Sequence, residues 1–161
     1  MRHVELDAVV VGESAQAVYE SLARFDRFPD LAPHVSSTTV HGTPTAAEAA
    51  SSWELHFRSG LLRWTEADHF ARQDGEIRFT QQDGDFDTFA GKWAFTQQGA
   101  DVGVHFEVDF DFGIPSLQGI LDPIAERVIK ETVAWAVTGL FENTRLRGDV
   151  ELGTPADITA A

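Results

Sequence analysis

The chain has 161 residues, of which 43% are hydrophobic and 24% charged, and its formal net charge is −14 at pH 7. This composition predicts one globular domain with a sizeable core, and the acidic surface argues against nucleic acid or an anionic membrane as a partner. Cysteine is absent, which excludes disulfides and thiol chemistry. Glu5 and Asp7 interrupt any signal-peptide core, and no apolar run approaches the roughly 20 residues of a membrane span. We therefore expect a cytoplasmic protein.

The first 35 residues predict one strand followed by two short helices. Residues 2–11 alternate and end in three valines before Gly12, which indicates a strand. Ser14 is a suitable N-cap for a helix with apolar residues at helical spacing. The following segment, "DRFPDLAPHV", contains two prolines and therefore predicts a broken or second short helix.

From residue 35 to residue 112 the hydrophobic period changes to two, which is typical of strands. The connections have the length of hairpin turns, so the strands should form an antiparallel meander. The last strand is the clearest, since its even positions are all Val or Phe and most of its odd positions are His, Glu or Asp. The predicted strands are 35–42, 48–59, 61–72, 75–82, 87–98 and 101–112.

The C-terminal third predicts one long helix. Asp122 and Pro123 form a typical helix start, and an apolar stripe of helical period follows. We expect this helix to run to about residue 147 and to stop at Gly148, so that residues 1–147 form the domain and residues 148–161 a flexible tail. The predicted fold is α+β, with a seven-stranded curved antiparallel sheet wrapping the long helix around an internal hydrophobic cavity.

Three segments carry a family resemblance: "RFDRFPDLAPHV" (24–35), "GKWAFTQQGADVGVHFEVDFDFGIP" (91–115) and "LDPIAERVIKETV" (121–133). Through them the chain resembles the START-like helix-grip (SRPBCC, birch-pollen-allergen-like) superfamily, in its polyketide cyclase/aromatase and coenzyme-Q-binding branch. The resemblance implies a cytoplasmic protein that binds a hydrophobic small molecule without a cofactor. One implied function is aldol cyclisation and dehydration of polyketides in antibiotic biosynthesis, with an acyl carrier protein as a candidate partner. The other is non-catalytic carriage of a quinone, lipid or polyketide. A monomer and a homodimer are both compatible with it.

Cyclases of this branch usually carry an inward tryptophan, a small polar residue two positions later, and an arginine two positions further. Aligned on Trp64, those positions are Glu66 and Asp68, so the arginine is missing. In a register shifted by one residue, the arginine position falls on His69. This departure means that the mechanism of the typical aromatase does not transfer directly to this chain.

Glu66 and Asp68 share strand parity with Trp64 and Phe70, which directs both carboxyl groups toward the interior. Burial in an apolar cavity raises the pKa of a carboxyl group, so one member could act as general acid and the other as general base. Their spacing along the strand, roughly 6.5–7 Å, suggests that they do not share a proton. The alternative is that a bulge turns both side chains to solvent. Arg58, on the neighbouring strand, is the first candidate for a basic partner if it points inward; the alternative is that it is solvated, like His56 and Arg78.

The expected cavity wall is aromatic, although an ordinary core would also explain these residues. Phe28, Leu31 and Val35 should border its mouth, whereas His34, His56 and Arg78 should be solvated. The six histidines lack zinc spacing and "DGDFD" (83–87) lacks the glycine and glutamate of a calcium loop, so no metal or other cofactor is expected. The inward set consists of Trp64, Phe89, Trp93, Phe95, Phe106, Val108 and Phe110.

Overall fold

A computed structural model describes residues 1–43 and 45–148. Within these residues the chain forms one eight-stranded sheet and three α-helices. The elements, in chain order, are β1 (Arg2–Val11), α1 (Ala15–Leu22), α2 (Phe28–Leu31), β2 (Val35–His41), β3 (Glu48–Phe57), β4 (Gly60–Ala71), β5 (Glu76–Gly84), β6 (Thr88–Gln98), β7 (Asp101–Asp111), α3 (Gln118–Leu140) and β8 (Thr144–Arg147).

The sheet is antiparallel throughout, with strand order β2-β3-β4-β5-β6-β7-β1-β8. Strands β2 to β7 are joined as successive hairpins, as the period-two pattern predicted. The sheet then continues through β1, which pairs with β7 in an unbroken register from Arg2↔Phe110 to Val11↔Asp101. The first strand of the chain thereby extends the sheet at the end opposite to β2.

Helix α1 begins as predicted, since the Ser14 hydroxyl accepts a hydrogen bond from the Ala17 amide. Helix α2 is only four residues long and follows a 3₁₀ turn over Phe25–Arg27. Helix α3 packs its apolar side on the sheet and on the two short helices, which confirms the helix-grip fold. Among the described residues, no helix has the length and hydropathy needed to cross a membrane. The buried apolar residues of α3 include Ala125, Val128, Ile129, Val133, Ala134, Ala136 and Val137.

The predicted start of the long helix at Pro123 is wrong, because α3 begins at Gln118 and Pro123 lies inside it. A 3₁₀ turn over Pro115–Leu117 leads directly into the helix. A proline at this point removes one backbone hydrogen bond, the one that would reach Gly119 in the first turn. Asp122 does not cap the helix; its side chain is buried, and its Oδ1 has no hydrogen-bond partner among the described residues.

The predicted end of the helix is also wrong, because α3 stops at Leu140 and residues 144–147 form an eighth strand. This strand pairs with β1 from Val10↔Thr144 to Asp7↔Arg147. The pairing satisfies backbone groups of β1 that would otherwise lie on an open edge, which favours a strand over continued helix. The predicted tail, apart from Gly148, lies outside the described residues and stays a prediction.

Candidate functional site

An internal cavity of about 50 Å³ lies between the sheet, α2 and α3. Its wall is almost entirely apolar, with the Glu66 carboxyl and the Thr132 hydroxyl as its polar side chains. At this volume it has room for only a few water molecules. Any organic ligand must therefore displace side chains of the wall on entering. The lining residues are Phe25, Phe28, Trp53, Leu55, Trp64, Glu66, Phe79, Phe89, Trp93, Phe106, Ile129, Thr132 and Val133.

Aromatic rings contact one another around the cavity. Trp53 and Trp64 stack with their centroids 5.9 Å apart and their planes 3° from parallel. Trp93 meets the edge of Phe106 at 4.9 Å, and Phe89 lies 4.9 Å from Trp64. These separations lie in the favourable range for aromatic pairs, so the rings form a packed aromatic wall in which stacked and edge-to-face contacts alternate.

The predicted wall is partly found in the structure. Trp64, Phe89, Trp93, Phe106 and Phe28 line the cavity. The other predicted members share their inward direction and are buried, but they belong to the core beyond the cavity rather than to its wall; these are Phe95, Val108 and Phe110.

Strands β3 and β5 and helix α3 also contribute side chains to this wall, and these were not among the predicted members. Trp53 and Leu55 alternate on β3 with the same parity, and Phe79 does so on β5, which is the signal that could have placed them. Ile129 and Thr132 come from α3, and no strand parity could have placed them opposite the sheet. The helical stripe indicated a buried face but not which turn of the helix meets the cavity.

Glu66 and Asp68 both point inward, and only 4% of the surface of Glu66 and 1% of that of Asp68 is exposed to solvent. The bulge considered as an alternative does exist beside them, because the β4–β5 register shifts between Thr65 and Glu66. The extra residue is on β5, where Gln82 has no opposite partner, so the alternation of β4 is preserved. Glu66 lines the cavity, whereas Asp68 lies behind it, outside the wall.

A chain of hydrogen bonds holds the two carboxyl groups. The Trp64 indole N–H donates to Glu66 Oε1 at 2.8 Å, and the Ser51 hydroxyl donates to Asp68 Oδ2 at 2.6 Å. The Trp53 indole N–H in turn donates to the Ser51 oxygen at 2.9 Å. The stacked tryptophans of the wall thus also supply the polar contacts that orient the carboxyl pair.

Burial raises the pKa of Glu66 well above its usual range, and the hydrogen bond and charge of Asp68 raise it further, against the Trp64 donor. Burial also raises the pKa of Asp68, but hydrogen bonds from Glu66 and Ser51 oppose that rise. Both carboxyl groups therefore favour the protonated form more than an exposed carboxyl group does, and the upward shift of the pKa is stronger for Glu66. The two carboxyl groups act on each other's pKa and so titrate as a pair, whereas Oδ1 of Asp68 is buried without a hydrogen-bond partner among the described residues. That the two groups lie too far apart to share a proton stays a prediction.

Arg58 does not lie beside the carboxyl pair, and its predicted position in the site is wrong. It is exposed in the β3–β4 turn with φ of +57°, because the hairpin reverses at this residue. His69, the position reached by the alternative register, points outward and pairs with Glu48. His56 and Arg78 are exposed, as expected. Among the described residues, no basic side chain forms a hydrogen bond or ion pair with Glu66 or Asp68.

His34 is buried rather than on the surface, which contradicts its predicted exposure. Its Nε2 lies 3.8 Å from Oε2 of Glu131, a buried residue of α3, and neither atom has a hydrogen-bond partner among the described residues. Burial lowers the pKa of His34, against the attraction of Glu131. The other oxygen of Glu131 accepts a hydrogen bond from Arg127 at 2.6 Å. Glu131 is the neighbour in sequence of Thr132, which lines the cavity, so the buried His34–Glu131 pair is a second polar group near the cavity.

The model of the family described as polyketide cyclase/dehydrase and lipid transport matches residues 11–138 of this chain. The chain belongs to that family. A search of curated proteins gave no match. The assignment of the chain to this family thus rests on the family model.

Solved structures share the fold of this family member at low sequence identity. TTHA0849 from Thermus thermophilus superposes with a TM-score of 0.76 at 22% identity, covering 88% of this chain and 96% of that one. The Zhui aromatase/cyclase from Streptomyces sp. R1128 gives 0.73 at 16% identity over 84% and 91%. A START superfamily protein from Mycobacterium smegmatis gives 0.72 at 15% identity over 87% and 97%. These similarities confirm the START-like helix-grip fold.

Proposed function

We propose that this protein binds a hydrophobic poly-keto or aromatic intermediate in its cavity and promotes aldol cyclisation or dehydration by proton transfer. The observation that carries the proposal is the buried Glu66 carboxyl, which faces a mainly aromatic and apolar wall and whose pKa is raised by that burial. A carrier does not need an acidic group at that place, and burying one is unfavourable. The family match and the aromatase/cyclase fold neighbour support the general kind of function.

In the proposed reaction Glu66 is the catalytic residue, because it alone of the pair lines the cavity. Its proton passes to the oxygen of the accepting carbonyl, or to the hydroxyl group that leaves as water. The resulting carboxylate can then remove a proton from the carbon next to a carbonyl, which restores the acid. The raised pKa suits this role, because it keeps more of the group protonated near neutral pH than an ordinary carboxylic acid would be.

Asp68 acts through Glu66 and is a positioning residue in this proposal. The Ser51 hydroxyl orients Asp68 by donating to it, and a negative charge on Asp68 would favour the protonated form of Glu66. The aromatic wall would hold the unsaturated ligand in a folded conformation, and positioning of this kind contributes to cyclisation rates. A ligand would have to widen the cavity, and Phe28 on the short helix α2 is one of the side chains that would move.

Carriage of a quinone, lipid or polyketide without chemistry is the second candidate, favoured by the small number of polar groups in the wall. The experiment uses two probes, an anthraquinone for binding and a synthetic aromatic β-hydroxy ketone for dehydration followed by absorbance. We expect both to bind and the wild-type protein to accelerate dehydration. Glu66→Gln should retain binding and reduce the rate by roughly 100-fold or more.

Glu54→Gln on β3 is the matched control, since it also removes one carboxylate but lies away from the cavity. Its dehydration rate should equal that of the wild type. Probe binding with no acceleration, or with equal rates in Glu66→Gln, would reject acid catalysis and leave the carrier function. Failure of both probes to bind would reject the cavity as a binding site for aromatic ligands.

A further inference from the structure

The outer face of the sheet carries a short motif twice. Residues 3–7 read "HVELD" and residues 105–109 read "HFEVD", so both contain His, Glu and Asp at alternate positions. The two segments lie on β1 and β7, which are paired antiparallel. The register sets His3 opposite Asp109, Glu5 opposite Glu107, and Asp7 opposite His105. The apolar residues between them point into the core, so all six polar side chains share the outer face.

The two histidines are held in equivalent ways. His3 Nδ1 is 2.6 Å from an oxygen of Asp109, and His105 Nδ1 is 2.7 Å from an oxygen of Asp7. An Nδ1–H that donates to a carboxylate leaves Nε2 free to bind a metal, the arrangement in which carboxylates commonly support histidine ligands. Asp7 and Asp109 are therefore suited to orient the two rings.

The Nε2 atoms are directed at the central glutamates. His3 Nε2 is 3.2 Å from Glu5 Oε1, and His105 Nε2 is 3.2 Å from Glu107 Oε2 and 3.9 Å from Glu5 Oε1. One ligand atom from each of His3, Glu5 and Glu107 lies within 4.8 Å of the others. Donors bound tetrahedrally to Zn²⁺ at about 2.0–2.1 Å are roughly 3.3–3.5 Å apart. The recorded separations of 3.2, 3.2 and 3.9 Å approach that value. His105 lies outside the compact group of three and would reach the ion by turning its side chain.

Apart from the two histidines, the central glutamate pair has little counter-charge among the described residues. Glu5 and Glu107 face each other directly, and like charges in that position are unfavourable in a sheet. Lys92 on β6 reaches Glu107 only at 4.0 Å, and the register places Arg147 of β8 opposite Asp7 rather than opposite the glutamates. A divalent cation between the glutamates would remove their repulsion.

We propose that His3, His105, Glu5 and Glu107 form a binding site for a divalent transition-metal ion of the zinc type. It lies on the opposite face of the sheet from the cavity and does not depend on the proposed cyclase function. Nitrogen and carboxylate ligands of this number suit zinc. An ion here would join β1 to β7, so it would stabilise the folded chain. Zinc spacing rules do not detect the site, because its ligands come from two strands about 100 residues apart in the chain.

The test is isothermal titration calorimetry of the full, untagged chain with ZnCl₂. We expect one saturable site per chain and a rise in the thermal unfolding temperature on adding zinc. His3→Ala and His105→Ala should each weaken binding at least roughly 10-fold, and Asp7→Asn should weaken it by roughly 10–100-fold while leaving all four ligands in place. All these side chains are surface groups, so circular dichroism should show an unchanged fold.

His69→Ala is the matched control, because His69 is also an exposed strand histidine paired with a glutamate, but without a second histidine beside it. Its zinc affinity should equal that of the wild type. The proposal is overturned if the wild type shows no saturable zinc binding, if the double variant of His3 and His105 binds as tightly as the wild type, or if His69→Ala loses affinity to the same extent. Saturable binding of Ca²⁺ with none of Zn²⁺ would equally overturn the assignment of the metal class.

Discussion

Replacing Glu66 by glutamine tests the buried carboxyl pair through the pH dependence of folding stability. Glutamine has nearly the same shape and can accept the Trp64 hydrogen bond that is 2.8 Å long in the wild type. It cannot ionise. The substitution therefore removes the titration of Glu66 while its contacts are largely retained.

The sign follows from the raised folded-state pKa of Glu66, whose main cause is burial. In the unfolded chain Glu66 releases its proton around its ordinary pKa of 4.5, whereas the folded chain keeps the proton to higher pH. Across that window the folded state binds one more proton, so wild-type stability falls by about 1.4 kcal/mol per pH unit from this group. The penalty is absent below the ordinary pKa and complete above the raised one.

We therefore expect Glu66→Gln to become progressively more stable than the wild type as the pH rises through this window. The measurement is urea unfolding of both proteins from about pH 4.5 to about pH 8.5, followed by tryptophan fluorescence and circular dichroism. Subtracting the two stability curves isolates the titration of the Glu66–Asp68 pair, because the remaining titrating residues are common to both proteins.

Glu54→Gln serves as the control for charge removal alone. Hydrogen bonds from Ser37 and Arg63 lower the pKa of Glu54, so its titration lies below this pH range. Its difference from the wild type should be constant between about pH 5 and pH 8. A Glu66→Gln difference that is equally flat would refute the raised pKa and, with it, the assignment of Glu66 as the protonated acid.

Two further substitutions test the packing and hydrogen bonding around the site. Ser51→Ala removes the hydroxyl that donates to Asp68 at 2.6 Å. Urea unfolding at neutral pH should show that the free energy of unfolding falls by about 1–3 kcal/mol. An unchanged unfolding midpoint would mean that this hydrogen bond contributes nothing to stability. Gly91→Ala would bring a Cβ into the Glu107 carbonyl oxygen, so thermal unfolding should show a loss of about 3 kcal/mol or more. Gly119→Ala, with no atom within 4 Å of the new Cβ, should not destabilise the protein. Equal stability of the two variants would contradict the close β6–β7 approach.

Much of the fold follows from local patterns in the sequence. Alternation of Val and Phe with polar residues placed β7 within one residue at its C-terminal end, and Ser14 marked the start of α1. The same parity directed Trp64, Glu66 and Asp68 inward before any tertiary contact was known. Such features are predictable because successive strand side chains point to opposite faces, and a helix cap involves residues only a few positions apart.

Other features were decided by partners distant in the chain. Residues 144–147 form a strand because they pair with the edge of β1. His34 is buried where Glu131 of α3 lies against it. Parity likewise could not distinguish Glu66, which lines the cavity, from Asp68, which lies behind it, since both follow the same rule. The outer His–Glu–Asp pairs arise from the β1–β7 register, which no local pattern specifies. Local sequence determines the direction of a side chain; what that side chain meets depends on elements that only the folded chain brings together.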